Sequence, residues 1–138
     1  MKRLNLLLFV SLMIVGLQLS ACAPKAAATE KIAPVKTEPI EGSDLKLVIL
    51  TEKAAERIDV QTIPMSGMVI PYAAVIYDTE GNTWIYTNPE PLTFVRASIA
   101  IDHIEGDEVF LSKGLESDAP IVTVGVAELY GAETGVSK

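Results

Sequence analysis

The hydrophobic pattern of the 138-residue chain begins with an apolar run near its N-terminus, in which Ser11 is the only polar side chain. Residues 6–17 are twelve positions without a charge, and Lys2 and Arg3 precede them. A helix needs about 20 apolar residues to span a bilayer core, so this run is short for a permanent membrane helix. A positive start followed by a short apolar run predicts a secretory signal peptide.

The next stretch, up to Ser43, shows no apolar periodicity. Pro24, Pro34 and Pro39 recur there among alanine, threonine, glutamate and lysine. Such a composition buries too little apolar surface to offset the entropy lost on ordering. We therefore predict a flexible tether over residues 22–43, in an extended conformation.

A folded domain is predicted over residues 44–131. Leu47–Leu50 is a continuous apolar run that predicts a buried strand, and Thr51 is a suitable cap for a short helix after it. Beyond Gly67, short β-branched and aromatic runs alternate with turn residues. The predicted strands are 69–77, 83–87, 95–101, 109–111 and 121–126, and the predicted loops are 78–82, 88–91 and 105–107.

Six or seven short strands at this spacing, with one short helix, predict a mainly β fold. A small β-barrel or β-roll is the expected architecture. Residues 132–138 are expected to form a C-terminal tail.

The segment after the apolar run, Leu19-Ser20-Ala21-Cys22, resembles the lipobox of bacterial lipoproteins. The resemblance implies that residues 1–21 are removed and that Cys22 carries a diacylglyceryl group. We expect no cofactor besides this covalent lipid. The resemblance also implies a lipid anchor in a bacterial membrane on the extracytoplasmic side, periplasmic or at the cell surface. Cys22 is the only cysteine, so one chain has no disulfide framework and no cysteine metal cluster. An uncleaved membrane helix with a free thiol is the alternative.

The charge balance narrows the possible partners. Without Lys2 and Arg3, nine Lys and Arg residues stand against eighteen Asp and Glu residues, a formal charge near −9. Binding to nucleic acid phosphates needs a basic patch, so nucleic acid is not expected as a partner. An acidic surface is not attracted to anionic lipid headgroups either, so the acyl group is expected to hold the protein at the membrane.

The sequence carries no catalytic signature, and we expect a protein that is not an enzyme. His103 is the only histidine and precedes a predicted turn. No serine lies in a G-x-S-x-G elbow, and the glycines do not form a phosphate-binding loop. Met65 and Met68 are weak candidates for Cu(I) or Ag(I), because two thioethers are soft ligands but lack a third partner. Methionine also commonly fills gaps in cores.

The strand series resembles the C-terminal, membrane-proximal part of periplasmic adaptor subunits, the HlyD-like membrane fusion proteins of RND-type efflux pumps. The resemblance runs in order over about residues 45–131. It is carried by the segments 47–62, Ile70–Asp78, Gly81–Tyr86, Phe94–Arg96, Gly106–Leu115 and Ile121–Leu129.

Two departures separate this chain from that family. Adaptors carry a long helical hairpin and a lipoyl-like domain where this chain has only Pro64-Met65-Ser66-Gly67-Met68. Residues 116–119 also depart from the usual Gly-Asp turn. The resemblance therefore implies an adaptor-like β domain that cannot reach an outer-membrane channel.

These features predict a non-catalytic, lipid-anchored interaction module that contacts an efflux transporter or another copy of itself. The contact is expected around Tyr72, Trp84, Tyr86 and Phe94, although these aromatic residues are also suited to fill the domain's own core. The alternative function is a ligand- or metal-binding envelope lipoprotein for copper or silver.

Overall fold

The computed structural model describes residues 33–65, 67–115 and 118–135. The described residues form ten strands, two α-helices and one 3-10 helix, and the predicted mainly β class is confirmed. In chain order these are β1 (Val35–Pro39), β2 (Lys46–Leu50), α1 (Glu52–Arg57), β3 (Gln61–Ile63), β4 (Val69–Pro71), the 3-10 helix (Tyr72–Ala74), β5 (Ile76–Tyr77), β6 (Thr83–Glu90), β7 (Thr93–Ser98), β8 (Ile101–Glu105), β9 (Glu108–Leu111), β10 (Ile121–Val124) and α2 (Val126–Thr134).

The strands form two antiparallel sheets. The larger sheet has the order β1-β2-β7-β6-β10-β3, and β5 pairs with β6 beside β10. The smaller sheet has the order β4-β9-β8. Over the described strands the chain changes sheet four times, and the shortest connection between two strands of different sheets is Ile99–Ala100, between β7 and β8.

Each face of the larger sheet packs against a separate apolar core. One face carries Val48, Phe94 and Val122, which pack with Leu129 of α2 and Ala54 of α1. The opposite face packs against the smaller sheet, through the residues Ile70, Ile85, Ile99, Val109, Leu111 and Ile121. In the sequence, Val95, Ala97 and Ile99 alternate with Arg96 and Ser98, which predicts two faces for this segment. The structure confirms this, because Ala97 and Ile99 lie in the second core while Arg96 lies on the opposite face.

The predicted short helix is α1. Thr51 caps it as expected, since its Oγ1 accepts a hydrogen bond from the Ala54 amide at 3.2 Å. The predicted tether is wrong over Val35–Pro39, because these residues form β1 in register with β2. Val35 packs partly buried against the first core. Pairing with the edge of β2 and this contact therefore order β1, although its composition predicts a flexible linker.

Several predicted strand boundaries differ in the structure. The strand expected at 95–101 is divided between β7 and β8, because the chain leaves the larger sheet at Ile99–Ala100. The loop expected at 88–91 belongs largely to β6, which runs to Glu90. Asn88 and Pro89 together oppose Phe94 in a β-bulge, and a bulge tolerates a residue that has no amide proton. The single strand expected at 69–77 is instead β4, the 3-10 helix and β5.

Helix α2 is the largest departure from the sequence prediction. The sequence predicts a strand to Val126 and a tail from residue 132, but β10 ends at Val124 and α2 runs to Thr134. The change of structure occurs at Gly125, whose φ of 86° lies in the left-handed region. A Cβ at this position would lie 3.0 Å from Val60 Cγ2. Both the positive φ and this close approach therefore require glycine at position 125.

Candidate functional site

The predicted lipidation site, Cys22, and the signal segment 1–21 lie outside the described residues. Within the described residues, neither helix has the length and apolar character needed to cross a membrane.

The four aromatic residues predicted to contact a partner have different environments. Tyr72 is exposed, with 46% of its surface accessible, and Trp84 is half-buried. Tyr86 and Phe94 are buried in the first core, with 0% and 2% of their surfaces accessible. The prediction that Tyr86 and Phe94 contact a partner is therefore wrong in this fold, because both side chains face the helices that cover the larger sheet.

Tyr72 lies instead beside a second exposed tyrosine, Tyr77, which the sequence did not single out. The surface of Tyr77 is 48% accessible. Its pKa is raised above the ordinary value, first by desolvation and then by a side-chain hydrogen bond and charge interaction with Tyr72. The short 3-10 helix between β4 and β5 turns the chain and brings the two tyrosines together.

A shallow apolar groove of about 570 Å³ lies beside Tyr77 of this pair. The groove is lined by Tyr77, Val75 and Val124, among other residues. Val124 is itself 37% accessible. We call Tyr72, Tyr77 and this groove the tyrosine surface.

A polar cluster lies beneath the C-terminal end of α2, where Glu133 is located. Tyr86 and Arg96 are directly paired across β6 and β7, so their side chains project to the same face. The Tyr86 hydroxyl donates a hydrogen bond of 2.5 Å to Glu133 Oε2, and Arg96 Nε lies 2.8 Å from the same oxygen. Burial, and then the hydrogen bond to Glu133 and its charge, raise the pKa of Tyr86 far above its ordinary value.

Two aromatic rings hold the Arg96 guanidinium. Its central carbon lies 4.8 Å from the centroid of the Trp84 ring and 5.6 Å from that of Tyr130. The Trp84 indole is fixed in turn, because its Nε1 donates to Asp78 Oδ2 at 3.0 Å. Hydrogen bonds from Asn82 and then from Trp84 lower the pKa of Asp78 well below its usual range. The 78–82 hairpin therefore positions the ring on which Arg96 stacks.

The remaining candidate ligands are not assembled into one site. Met65 packs partly buried against the second core, whereas 43% of the Met68 surface is accessible. His103 Nδ1 lies 2.7 Å from Asp102 Oδ2, and its ring stacks on Phe110 with centroids 4.4 Å apart. In the part of the chain that the structure describes, no group of three or more His, Cys, Asp or Glu residues is arranged to hold a metal ion.

Sequence reasoning missed Tyr77, Glu133 and the pairing of Glu133 with Arg96. The contact of Tyr86 with Glu133 joins residues 47 positions apart, and nothing local to either residue indicates it.

Comparison of the chain with protein-family models, curated proteins and solved structures found no match in any of the three.

Proposed function

We propose that this chain is a lipid-anchored interaction module of the bacterial cell envelope, related to efflux pump adaptors, and that it binds a membrane transporter through the tyrosine surface. The observation that carries the proposal is the exposed pair of Tyr72 and Tyr77, of which Tyr77 lines an apolar groove. Singly exposed apolar residues are normal on a protein surface. Adjacent tyrosines beside a groove are characteristic of interface centres, where aromatic residues contribute much of the binding energy.

The sequence resemblance supports the choice of a transporter as the partner. Both tyrosines belong to the Ile70–Asp78 segment, which resembles the membrane-proximal part of the adaptors, the part that packs against the transporter in that family. The lipid on Cys22 would confine the domain to the membrane surface. Confinement raises its effective concentration beside a membrane partner, so a shallow surface is sufficient for association.

The anchor is tested by replacing Cys22→Ala in the full-length chain and fractionating the cells. We expect the variant to fold but to leave the membrane fraction after signal cleavage, whereas the unchanged protein stays with membranes. If the cleaved variant sediments with membranes as before, Cys22 is not the anchor.

The binding surface is tested with a double variant, Tyr72→Ser with Tyr77→Ser, and a matched control, Met68→Ser. Met68 has a similar accessible fraction, 43%, and precedes β4 at the end remote from Tyr72. After solubilisation in mild detergent, we expect the unchanged protein and the Met68 variant to retain a polytopic transporter that the double variant loses. Equal recovery with all three proteins, or with none, contradicts the proposed surface.

A further inference from the structure

A second cleft, separate from the tyrosine surface, opens beside Arg96. It has a volume of about 450 Å³ and lies between the ends of β6 and β7 and the segment that follows β9. This volume falls within the range of small-molecule sites, about 300–1,000 Å³. Trp84, Arg96, Ser98 and Lys113 are among its lining residues.

The charged side chains that line this cleft are basic, although the chain as a whole is acidic. The chain carries a formal charge of −7, but the described residues that line the cleft include Arg96 and Lys113 and no aspartate or glutamate. Glu133 is not among these lining residues, and it pairs with Nε of Arg96. The two charged side chains among the described lining residues are therefore both cationic, and Glu133 balances the charge of Arg96 from outside the lining.

Arg96 presents donors that the protein does not use. A guanidinium has five N–H donors in a planar fork, and the only ionic partner of Arg96 among the described residues is Glu133. The Nε position is fully buried and makes no hydrogen bond of good geometry. Because Nε is buried, the 13% of the side chain that solvent reaches belongs to its other atoms.

The orientation of Arg96 is fixed before any ligand binds. Glu133 pairs with Nε of the guanidinium. The central carbon of the guanidinium lies 4.8 Å from the Trp84 ring centroid and 5.6 Å from the Tyr130 ring centroid. A hydrogen bond to Asp78 fixes the Trp84 ring in turn. A fixed planar fork receives a carboxylate or phosphate group at a smaller entropic cost than a mobile side chain does.

We propose that this cleft binds a small organic anion. The carboxylate or phosphate group of that ligand is received by the guanidinium of Arg96, and its flat apolar part packs beside the Trp84 indole. This function is independent of the tyrosine surface and of the lipid anchor.

The test uses the full-length protein in a non-ionic detergent, with benzoate and phenyl phosphate as anionic probes and benzamide as the neutral control. Trp84 is the only tryptophan, so its fluorescence reports directly on the cleft. We expect a saturable change with at least one anionic probe, weakened by added salt, and none with benzamide. The anion that binds more tightly identifies the preferred head group.

Two substitutions of Ser98 distinguish an effect of charge in the cleft from an effect on folding, because Ser98 is exposed, lines the cleft and is not a partner in the Arg96–Glu133 pair. Ser98→Glu places a like charge against the ligand, and we expect affinity to fall by about tenfold or more. Ser98→Gln adds similar bulk without charge and should retain most of the binding. Equal binding of benzamide, no saturable change with either anion, or an unaltered affinity in Ser98→Glu would overturn the proposal.

Discussion

Replacing Glu133→Gln should destabilise the fold strongly, although it changes little in the size of the side chain. Glutamine can still accept the hydrogen bond from Tyr86, but it removes the negative charge beside Arg96. The Glu133 side chain is 2% exposed and the Arg96 side chain 13%, so water replaces little of the lost interaction. Removing one partner of a buried ion pair costs about 3–5 kcal/mol. Stacking on Trp84 and Tyr130 holds part of the cation and contributes about 1 kcal/mol, so we expect a loss of about 2–4 kcal/mol.

The control for this prediction is a double-mutant cycle. Arg96→Met alone leaves the Glu133 carboxylate buried without its cation, and a similar loss is expected. The double variant, Arg96→Met with Glu133→Gln, buries neither charge, so it should cost less than the two single losses together. The coupling energy is the sum of the two single losses minus the loss in the double variant. We expect it to be about 2–3 kcal/mol.

The assay is urea unfolding followed by tryptophan fluorescence and by circular dichroism. The single tryptophan, Trp84, lies 4.8 Å from the Arg96 guanidinium, so dichroism is needed as a probe whose signal does not depend on that contact. Coincident transitions would justify a two-state treatment. A loss below about 1 kcal/mol for Glu133→Gln, or a double variant whose loss equals the sum of the single losses, would refute the view that this pair is a coupled buried unit.

Three further predictions concern the start of α2, the core and the 78–82 turn. Gly125→Ala should cost about 1–3 kcal/mol in thermal or urea unfolding, because of the positive φ and the 3.0 Å approach to Val60; a neutral result would contradict the backbone constraint at this residue. Ile85→Ala, at 0% exposure, should cost about 2–5 kcal/mol, whereas Ile104→Ala, at 44% exposure, should stay within about 0.5 kcal/mol. The pKa of Asp78 is lowered in the fold, so its contribution to stability is present above the unfolded pKa of about 3.9 and is lost as pH falls through the lower folded value. Tryptophan fluorescence should change in that acid range, and a variant with Asp78→Asn that shows the same change would exclude this carboxyl as its source.

The elements that depend on local patterns could be predicted from the sequence. The Thr51 cap, the 78–82 hairpin and the two faces of β7 are each determined by a few adjacent residues. The residues that make up the tyrosine surface could be predicted only in part. The sequence singles out Tyr72, but Tyr77 joins it only because the 3-10 helix interrupts the strand expected at 69–77.

The elements that depend on distant contacts could not be predicted. Helix α2 has a glycine at position 131 and a buried glutamate at position 133, which disturb the apolar pattern of a surface helix. Glu133 is tolerated in the core only because Arg96 and Tyr86 meet it from the sheet. Strand β1 likewise depends on the exposed edge of β2, since its own composition is that of a linker.

Site-specific photo-crosslinking in intact cells tests most directly whether this chain is a membrane-tethered module that binds a transporter. Tyr77→p-benzoylphenylalanine places the crosslinker on the tyrosine surface, and Met68→p-benzoylphenylalanine places it on an exposed control position. We expect illumination to join the first variant to a polytopic transporter, and expect Cys22→Ala to reduce the yield strongly in the same background. Equal crosslinking from both positions, or crosslinking only to soluble proteins, would contradict the account.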